Sequence, residues 1–141
     1  MYRRILVPLD GSDLAETAIP HAELLASASG AELELIRVTL LRFVQAPDGH
    51  GHVVQEEGDR EEAEAYLAAW EKRLRDRGIR ATGQVRSGSV AEEIVEYAGS
   101  TRADLIVMST HGRTGARLYA YGSVAEKVLR IAPCSVLVVR T

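Results

Sequence analysis

The chain is poor in the residues that would tie it to an oxidising compartment, a membrane or a nucleic acid. Cys134 is the single cysteine among 141 residues, so no disulfide can close within the chain, and a reducing cytoplasmic setting is the expectation. The formal net charge is −3 and the pI about 5.8, which argues against binding that relies on neutralising the phosphates of a nucleic acid. No apolar run approaches the roughly 20 residues that a bilayer-spanning helix requires, so no membrane partner is expected. The N-terminus runs directly into Ile5-Leu-Val7 and Pro8, without the apolar stretch and small-residue cleavage site of a secretory leader. Walker and Rossmann glycine patterns are absent, as is the Gly-x-Ser-x-Gly elbow of a serine hydrolase. What remains is 46% hydrophobic and 26% charged, the balance of an ordinary globular chain. Its length suits one domain with one core, taken as residues 1–141.

Apolar runs of β type alternate with helical segments from end to end. Strands are expected at residues 4–8, 32–38, 80–86, 103–109 and 135–139. Helices are expected at 13–29, stopped by Gly30, at 59–77, stopped by Gly78, from Ser89 to about Gly99, and from Ser123 to Pro133. Ser89-Val-Ala-Glu92 and Ser123-Val-Ala-Glu126 have the spacing of capping boxes. Pro20 falls inside the first helix and is expected to kink it. Five strands alternating with four helices imply a parallel sheet covered by helices on both faces. Continuous apolar runs fit strands buried on both sides, while the weaker alternation of residues 80–86 fits a position nearer an edge. One connection, residues 39–58, is long for this rhythm and contains Pro47, Gly49, Gly51 and Gly58; a connection of that length is usually functional or mobile.

In an open parallel sheet, ligands sit beyond the carboxyl ends of the strands, where the direction of the connections reverses. Three segments should converge there: Pro8-Leu-Asp-Gly-Ser12, the chain from Val38 onward, and the stretch from Ser109 to Ser123. The last of these begins where Leu105-Ile-Val-Met108 stops and ends on a helix start. A helix start offers unpaired N–H groups and partial positive charge, and so suits an anion. Gly112 and Gly122 allow close backbone approach, Ser123 brings a hydroxyl, and Arg113 and Arg117 bring charge-assisted donors. Asp10 serves two readings equally well, as an acceptor for ribose hydroxyls or an adenine amino group, or as organiser of the turn around Gly11 beside Ser12 and Asp13. His111 reads as a hydrogen-bonding loop residue rather than a member of a triad. His50 and His52 make a weak metal pair. The acidic run from Glu56 to Glu64 suits the first turns of a helix; Leu67 and Trp70 read as core, and Cys134 as a packed thiol.

Three blocks together resemble the universal stress protein family: Ile5-Leu-Val-Pro-Leu-Asp-Gly-Ser12, Ser109-Thr-His-Gly-Arg-Thr-Gly115, and Gly122-Ser-Val-Ala-Glu-Lys-Val-Leu-Arg130 continuing as Ile131-Ala-Pro-Cys-Ser-Val-Leu-Val-Val139. The resemblance covers essentially the whole chain. It implies a three-layer, doubly wound, Rossmann-like sheet of five parallel strands in the order 3-2-1-4-5, of the adenine nucleotide alpha hydrolase-like type. Nucleotide-binding members show Gly-x-x-Gly, nine residues, then Gly-Ser or Gly-Thr. Gly112, the nine residues after it and Gly122-Ser123 match, whereas Ser109 stands where the first glycine belongs. The resemblance implies ATP as ligand, with or without Mg²⁺, and little or no hydrolysis. The implied binding set is Pro8, Leu9, Asp10, Val38, Met108, Ser109, His111, Gly112, Arg113, Gly122, Ser123 and Val124. In it Asp10 meets the nucleoside, Val38 and Met108 line the adenine pocket, and Gly112, Gly122 and Ser123 hold phosphates. Homodimerisation through the last strand, Val136, Leu137, Val138 and Val139, is implied too; an exposed apolar edge there would call for a partner. Ser109 keeps a second reading open, that of a dimeric protein-interaction module that binds no nucleotide and uses residues 39–58 as its contact.

Overall fold

The computed structural model describes residues 1–54, 57–110 and 122–141. In chain order the elements are β1 (Arg4–Pro8), α1 (Asp13–Glu16), α2 (Ala18–Ser29), β2 (Glu32–Thr39), β3 (Arg42–Gln45), β4 (Gly51–Val54), α3 (Glu57–Asp76), β5 (Ala81–Ser87), α4 (Val90–Thr101), β6 (Leu105–Ser109), α5 (Ser123–Ile131) and β7 (Ser135–Val139). The main sheet has five strands in the order β5-β2-β1-β6-β7, and every pairing in it is parallel. Numbered within that sheet the order is 3-2-1-4-5, as the resemblance implies. β1 is central. The chain first builds outward from it through β2 to β5, then crosses back to β6 and β7, so the order reverses between β1 and β6.

Alternate side chains of each strand enter two separate cores, which is why the inner strands read as unbroken apolar runs. Ile5, Val7, Leu33, Leu35, Leu105 and Val107 pack against Ala18, Ile19, Ala22 and Ala26 of α2 and Ala63, Leu67 and Leu74 of α3. Leu6, Ile36, Ile106 and Met108 face the other way, onto Ala91, Ile94 and Ala98 of α4 and Ala125 and Val128 of α5. Helices on both faces of one sheet complete three layers. β5 is an edge strand with alternating exposure, as its weaker apolar pattern suggested.

The structure corrects the sequence reading at four places. Residues 13–29 form two helices meeting at Thr17 rather than one helix kinked at Pro20. Pro20 is the third residue of α2, within the first turn, where a backbone N–H has no carbonyl to reach and its loss costs little. Ser123 is the first residue of α5 rather than its cap; Gly122 holds the cap position with φ 71° and ψ 155°, and no side chain caps the helix. That backbone conformation is reserved almost wholly to glycine. Ser89 does occupy the cap position of α4 but makes no side-chain cap bond; Glu92, which a capping box would turn back, reaches Lys127 of α5 instead. Finally, the long connection contains a hairpin. β3 and β4 pair antiparallel about a turn in which Ala46 N–H donates to His50 O (2.7 Å) and Gly49 N–H to Ala46 O (2.9 Å), with Gly49 at φ 87°.

Candidate functional site

The strand order places a crevice at the carboxyl ends of β1 and β6. A cavity of about 520 Å³ opens there, lined by Pro8, Leu9 and Asp10 after β1, Ile36 to Leu41 from β2 onward, Met108 to Thr110 after β6, and Gly122 to Ala125 at the start of α5. Val90 and Ile94 of α4, Asp59 and Glu62 of α3, and Ala15 of α1 complete the wall. The volume lies within the range of small-molecule sites. Two other hollows, of about 390 and 560 Å³, lie toward the opposite end of the sheet and include none of the motif residues.

The turn after β1 is tightly built. Leu9 N–H donates to Ile36 O (2.8 Å), carrying the ladder past Pro8, which has no N–H to give. Asp10 Oδ1 accepts from the backbone N–H of Ser12 (2.9 Å) and from its hydroxyl (2.5 Å). Ser12 Oγ in turn accepts from Ala15 N–H (3.1 Å) as the cap of α1. Asp10 therefore organises the turn, and it also lines the cavity.

One wall is apolar: Val38, Met108, Val90, Ile94 and Val124. The adjoining end of β6 is polar and buried, with Ser109 and Thr110 only 7% and 3% exposed. Thr110 N–H is bound to Val139 O (2.9 Å), which fixes the point where the chain leaves the sheet. Opposite stands the start of α5, whose first internal bond runs from Glu126 N–H to Gly122 O (3.0 Å). The N–H groups of Ser123, Val124 and Ala125 precede it and have no partner within the helix. An apolar slot thus leads to a helix start with a Cβ-free cap, an arrangement able to take a flat apolar ring at one end and an anion at the other.

The cavity brings together Pro8, Leu9, Asp10, Val38, Met108, Ser109, Gly122, Ser123 and Val124 of the expected set. His111, Gly112, Arg113 and Arg117 lie outside the described residues. His50 stands at the hairpin turn, its N–H bound to Asp48 Oδ1 (3.0 Å), and His52 lies in β4 opposite Val44. Among the described residues no three His, Cys, Asp or Glu side chains come together as a metal site. Cys134 is half-buried, and its thiol is pushed up by burial and then by the charge of Asp104, in keeping with a packed and unreactive group.

Sequence reasoning missed several wall residues. Val90, inside the capping pattern of α4, and Ile94 are one helical turn apart; that spacing was the available signal. Arg37 was visible as the one cation inside an apolar strand, and it is 6% exposed. Leu40 and Leu41 stand out as an apolar pair opening a polar connection, and are 67% and 46% exposed. Asp59 and Glu62 carry no signal that separates them from the other acids of α3.

The comparisons agree with this architecture. The profile of the Universal stress protein family matches residues 1–140. Universal stress protein MJ0531 of Methanocaldococcus jannaschii is 38% identical over 141 residues, covering 99% of this chain and 83% of that one. The solved structure of MJ0577 superposes with a TM-score of 0.81 at 28% identity, covering 100% of this chain and 97% of the other. A universal stress protein solved in complex with cAMP superposes with a TM-score of 0.71 at 28% identity, covering 99% and 98%. The chain belongs to the universal stress protein family.

Proposed function

We propose that the cavity binds an adenine nucleotide, with ATP as the physiological ligand, and that the protein is a homodimeric stress-response regulator of the cytoplasm with little or no hydrolysis. The observation that carries this reading is the convergence of Asp10, Val38, Met108, Ser109, Gly122 and Ser123 on one cavity at the reversal point of the sheet. In this reading residues 1–141 act as one domain. The base lies between Val38 and Met108, and the sugar hydroxyls meet Asp10. The phosphates point to Gly122, Ser123 and the N–H groups of α5, with Gly112, His111 and Arg113 joining from the adjoining segment. Pro8 and Leu9 line the cavity beside Asp10, and Val124 extends the apolar wall. The helix start and the glycine cap fit a polyanion. A Mg²⁺ ion accompanying the phosphates would take its ligands mainly from them. Asp10 is committed through Oδ1 to Ser12, which suits a positioning group better than a base. A family relative solved with cAMP supports an adenine ligand.

Dimerisation is assigned to β7. It is an edge strand with Leu137 36% exposed, and Leu129 and Ile131 of the neighbouring α5 are 42% and 43% exposed. An apolar edge of this kind is normally covered. Leu137→Arg is expected to convert dimer to monomer in sedimentation analysis.

The test of ligand binding is to denature the purified protein and identify any released nucleotide by mass spectrometry, then to titrate the stripped protein with ATP and Mg²⁺. Released adenine nucleotide and saturable binding are expected; neither being seen would overturn the reading. A second reading rests on Ser109. Its Cβ stands at the position of the first motif glycine, at a point only 7% exposed; Leu40 and Leu41, which line the same cavity, and Val44 farther along the connection are exposed apolar residues. In that case the cavity takes no nucleotide and the chain serves as a dimeric protein-interaction module. Ser109→Gly separates the two: a large gain in ATP affinity would show the native site to be compromised, and a change of a few-fold or less would support a working site.

A further inference from the structure

We infer that Arg37 is a positioning residue for the cavity, acting through the Asp10–Ser12 turn rather than on a ligand directly; its effect on affinity rests on the nucleotide reading above. Arg37 projects from β2 on the face opposite Ile36 and Val38, and its side chain is 7% exposed. Burying a guanidinium is costly unless its surroundings compensate. Its ion pair among the described residues is thin: Nη2 lies 3.4 Å from Oε1 of Glu62, whose own side chain is 66% exposed. The guanidinium also packs beside the turn after β1. A Cβ built on Gly11 would lie 3.2 Å from Arg37 Nη1 and 3.4 Å from both Cζ and Nη2. Three nearly equal distances mean that the guanidinium presents its flat face to Gly11. Gly11 has φ 88°, a backbone conformation that disfavours a side chain, and a Cβ there would press on the guanidinium.

The remaining neighbours lock the guanidinium in place. Its Cζ lies 5.0 Å from the centre of the Tyr66 ring, within the range of a cation–π contact. The Tyr66 hydroxyl donates to Glu16 Oε2, and Trp70 Nε1 approaches the same oxygen at 3.4 Å. Burial, then the bond to Glu16, holds the Tyr66 hydroxyl far above its ordinary range, so it stays a neutral donor. Arg37 therefore joins β2 and α3 to the one turn whose carboxylate, Asp10, faces the cavity. Lysine cannot replace it, because an ammonium has no planar face to lay on a glycine.

The test has two arms on the full chain. In the ligand-free protein, Arg37→Met should speed amide exchange at Ser12, whose N–H donates to Asp10, by about tenfold or more while core amides such as Leu33 and Ile106 change far less. Arg37→Lys should behave like Arg37→Met. In ATP titrations, Arg37→Met should weaken binding about tenfold in the parent, but less than about twofold in an Asp10→Asn background, because the two act as one unit. Unchanged exchange at Ser12, rescue by lysine, or additive losses in the double variant would each overturn the inference. If the parent chain binds no ATP, the nucleotide reading fails by itself, and the exchange arm still decides whether Arg37 holds the turn.

Discussion

The two ends of the main sheet are built from opposite materials. At the carboxyl end the strands stop on the uncharged residues Pro8, Thr39, Ser87, Ser109 and Val139, and a cavity of about 520 Å³ is left. At the amino end the same strands are bound by charge. Arg4 Nε donates to Glu32 Oε1 (2.8 Å) and lies 3.2 Å from Glu34 Oε1. Asp104 Oδ2 accepts the backbone N–H groups of Arg3 (2.6 Å) and Arg4 (2.9 Å). Arg102, at φ 56°, caps the end of α4. Helices point their N-termini at the first end and their C-termini at the second, so the first attracts anions and the second is suited to cations. One end is closed by the chain's own charges, and the other is open to a charge from outside.

That contrast predicts a separation of effects. Changes at the open end should cost affinity, and changes at the closed end should alter stability and its pH dependence while leaving affinity alone. The largest effect is expected from Gly122→Val. Its φ of 71° and ψ of 155° carry a strain of about 1–3 kcal/mol for a non-glycine residue, and the new side chain would stand at the anion end. ATP affinity should fall by about 100-fold, with a lowered Tm; calorimetric titration and thermal melts measure the two. Next, Asp10→Asn should weaken ATP by roughly 10-fold, in line with loss of a charge-assisted hydrogen bond. It should cost less stability than Gly122→Val, since an amide oxygen can still accept from Ser12.

The smallest effect belongs to Glu34 at the closed end. Its Oε2 is buried without a hydrogen-bond partner among the described residues, and Arg4 is engaged first by Glu32. Burial therefore outweighs the Arg4 charge and holds the Glu34 carboxyl above its ordinary value. The folded chain keeps a proton that the unfolded chain releases. Its contribution is full below the unfolded value, about 4.3, and is lost as pH rises through the folded value. Glu34→Gln cannot ionise, so its Tm should exceed the parent's at about pH 8, and the gap should narrow toward about pH 4. Asp104 has the opposite sign. The N–H groups of Arg3 and Arg4 hold it below its ordinary range, so its contribution is present above the unfolded value and is lost as pH falls. Neither Glu34→Gln nor Asp104→Asn should change the dissociation constant for ATP. A closed-end change that weakened ATP as much as Asp10→Asn would break the comparison.

The same contrast explains what could be read from the sequence. Strands buried on both faces are mostly apolar, so Ile5-Leu-Val7 and Leu105-Ile-Val-Met108 announced themselves. The cavity-lining residues that end those strands followed from position alone. Features set by tertiary geometry were not legible. Pro20 in a first turn and Pro20 in a helix interior look alike until the break at Thr17 is known. Ser-x-x-Glu names a cap only if the serine adopts the cap conformation, and at α5 the chain arrives with a φ open to Gly122 instead. The hairpin β3–β4 did carry a signal: Pro47-Asp-Gly49 is a turn sequence, but its flanking strands of four residues each were too short to stand out beside the sheet. Arg37 was visible in the sequence, whereas its contact with Gly11 depends on packing between β2 and the turn after β1.

The central claim is that the open end is a nucleotide site, and a titration of the purified, nucleotide-stripped chain with ATP in the presence of Mg²⁺ tests it most directly. The account predicts saturable binding of one ATP per chain that is weakened about 10-fold by Asp10→Asn and is untouched by Glu34→Gln. Absence of binding by the parent chain, or equal binding by the parent and Asp10→Asn, would contradict it.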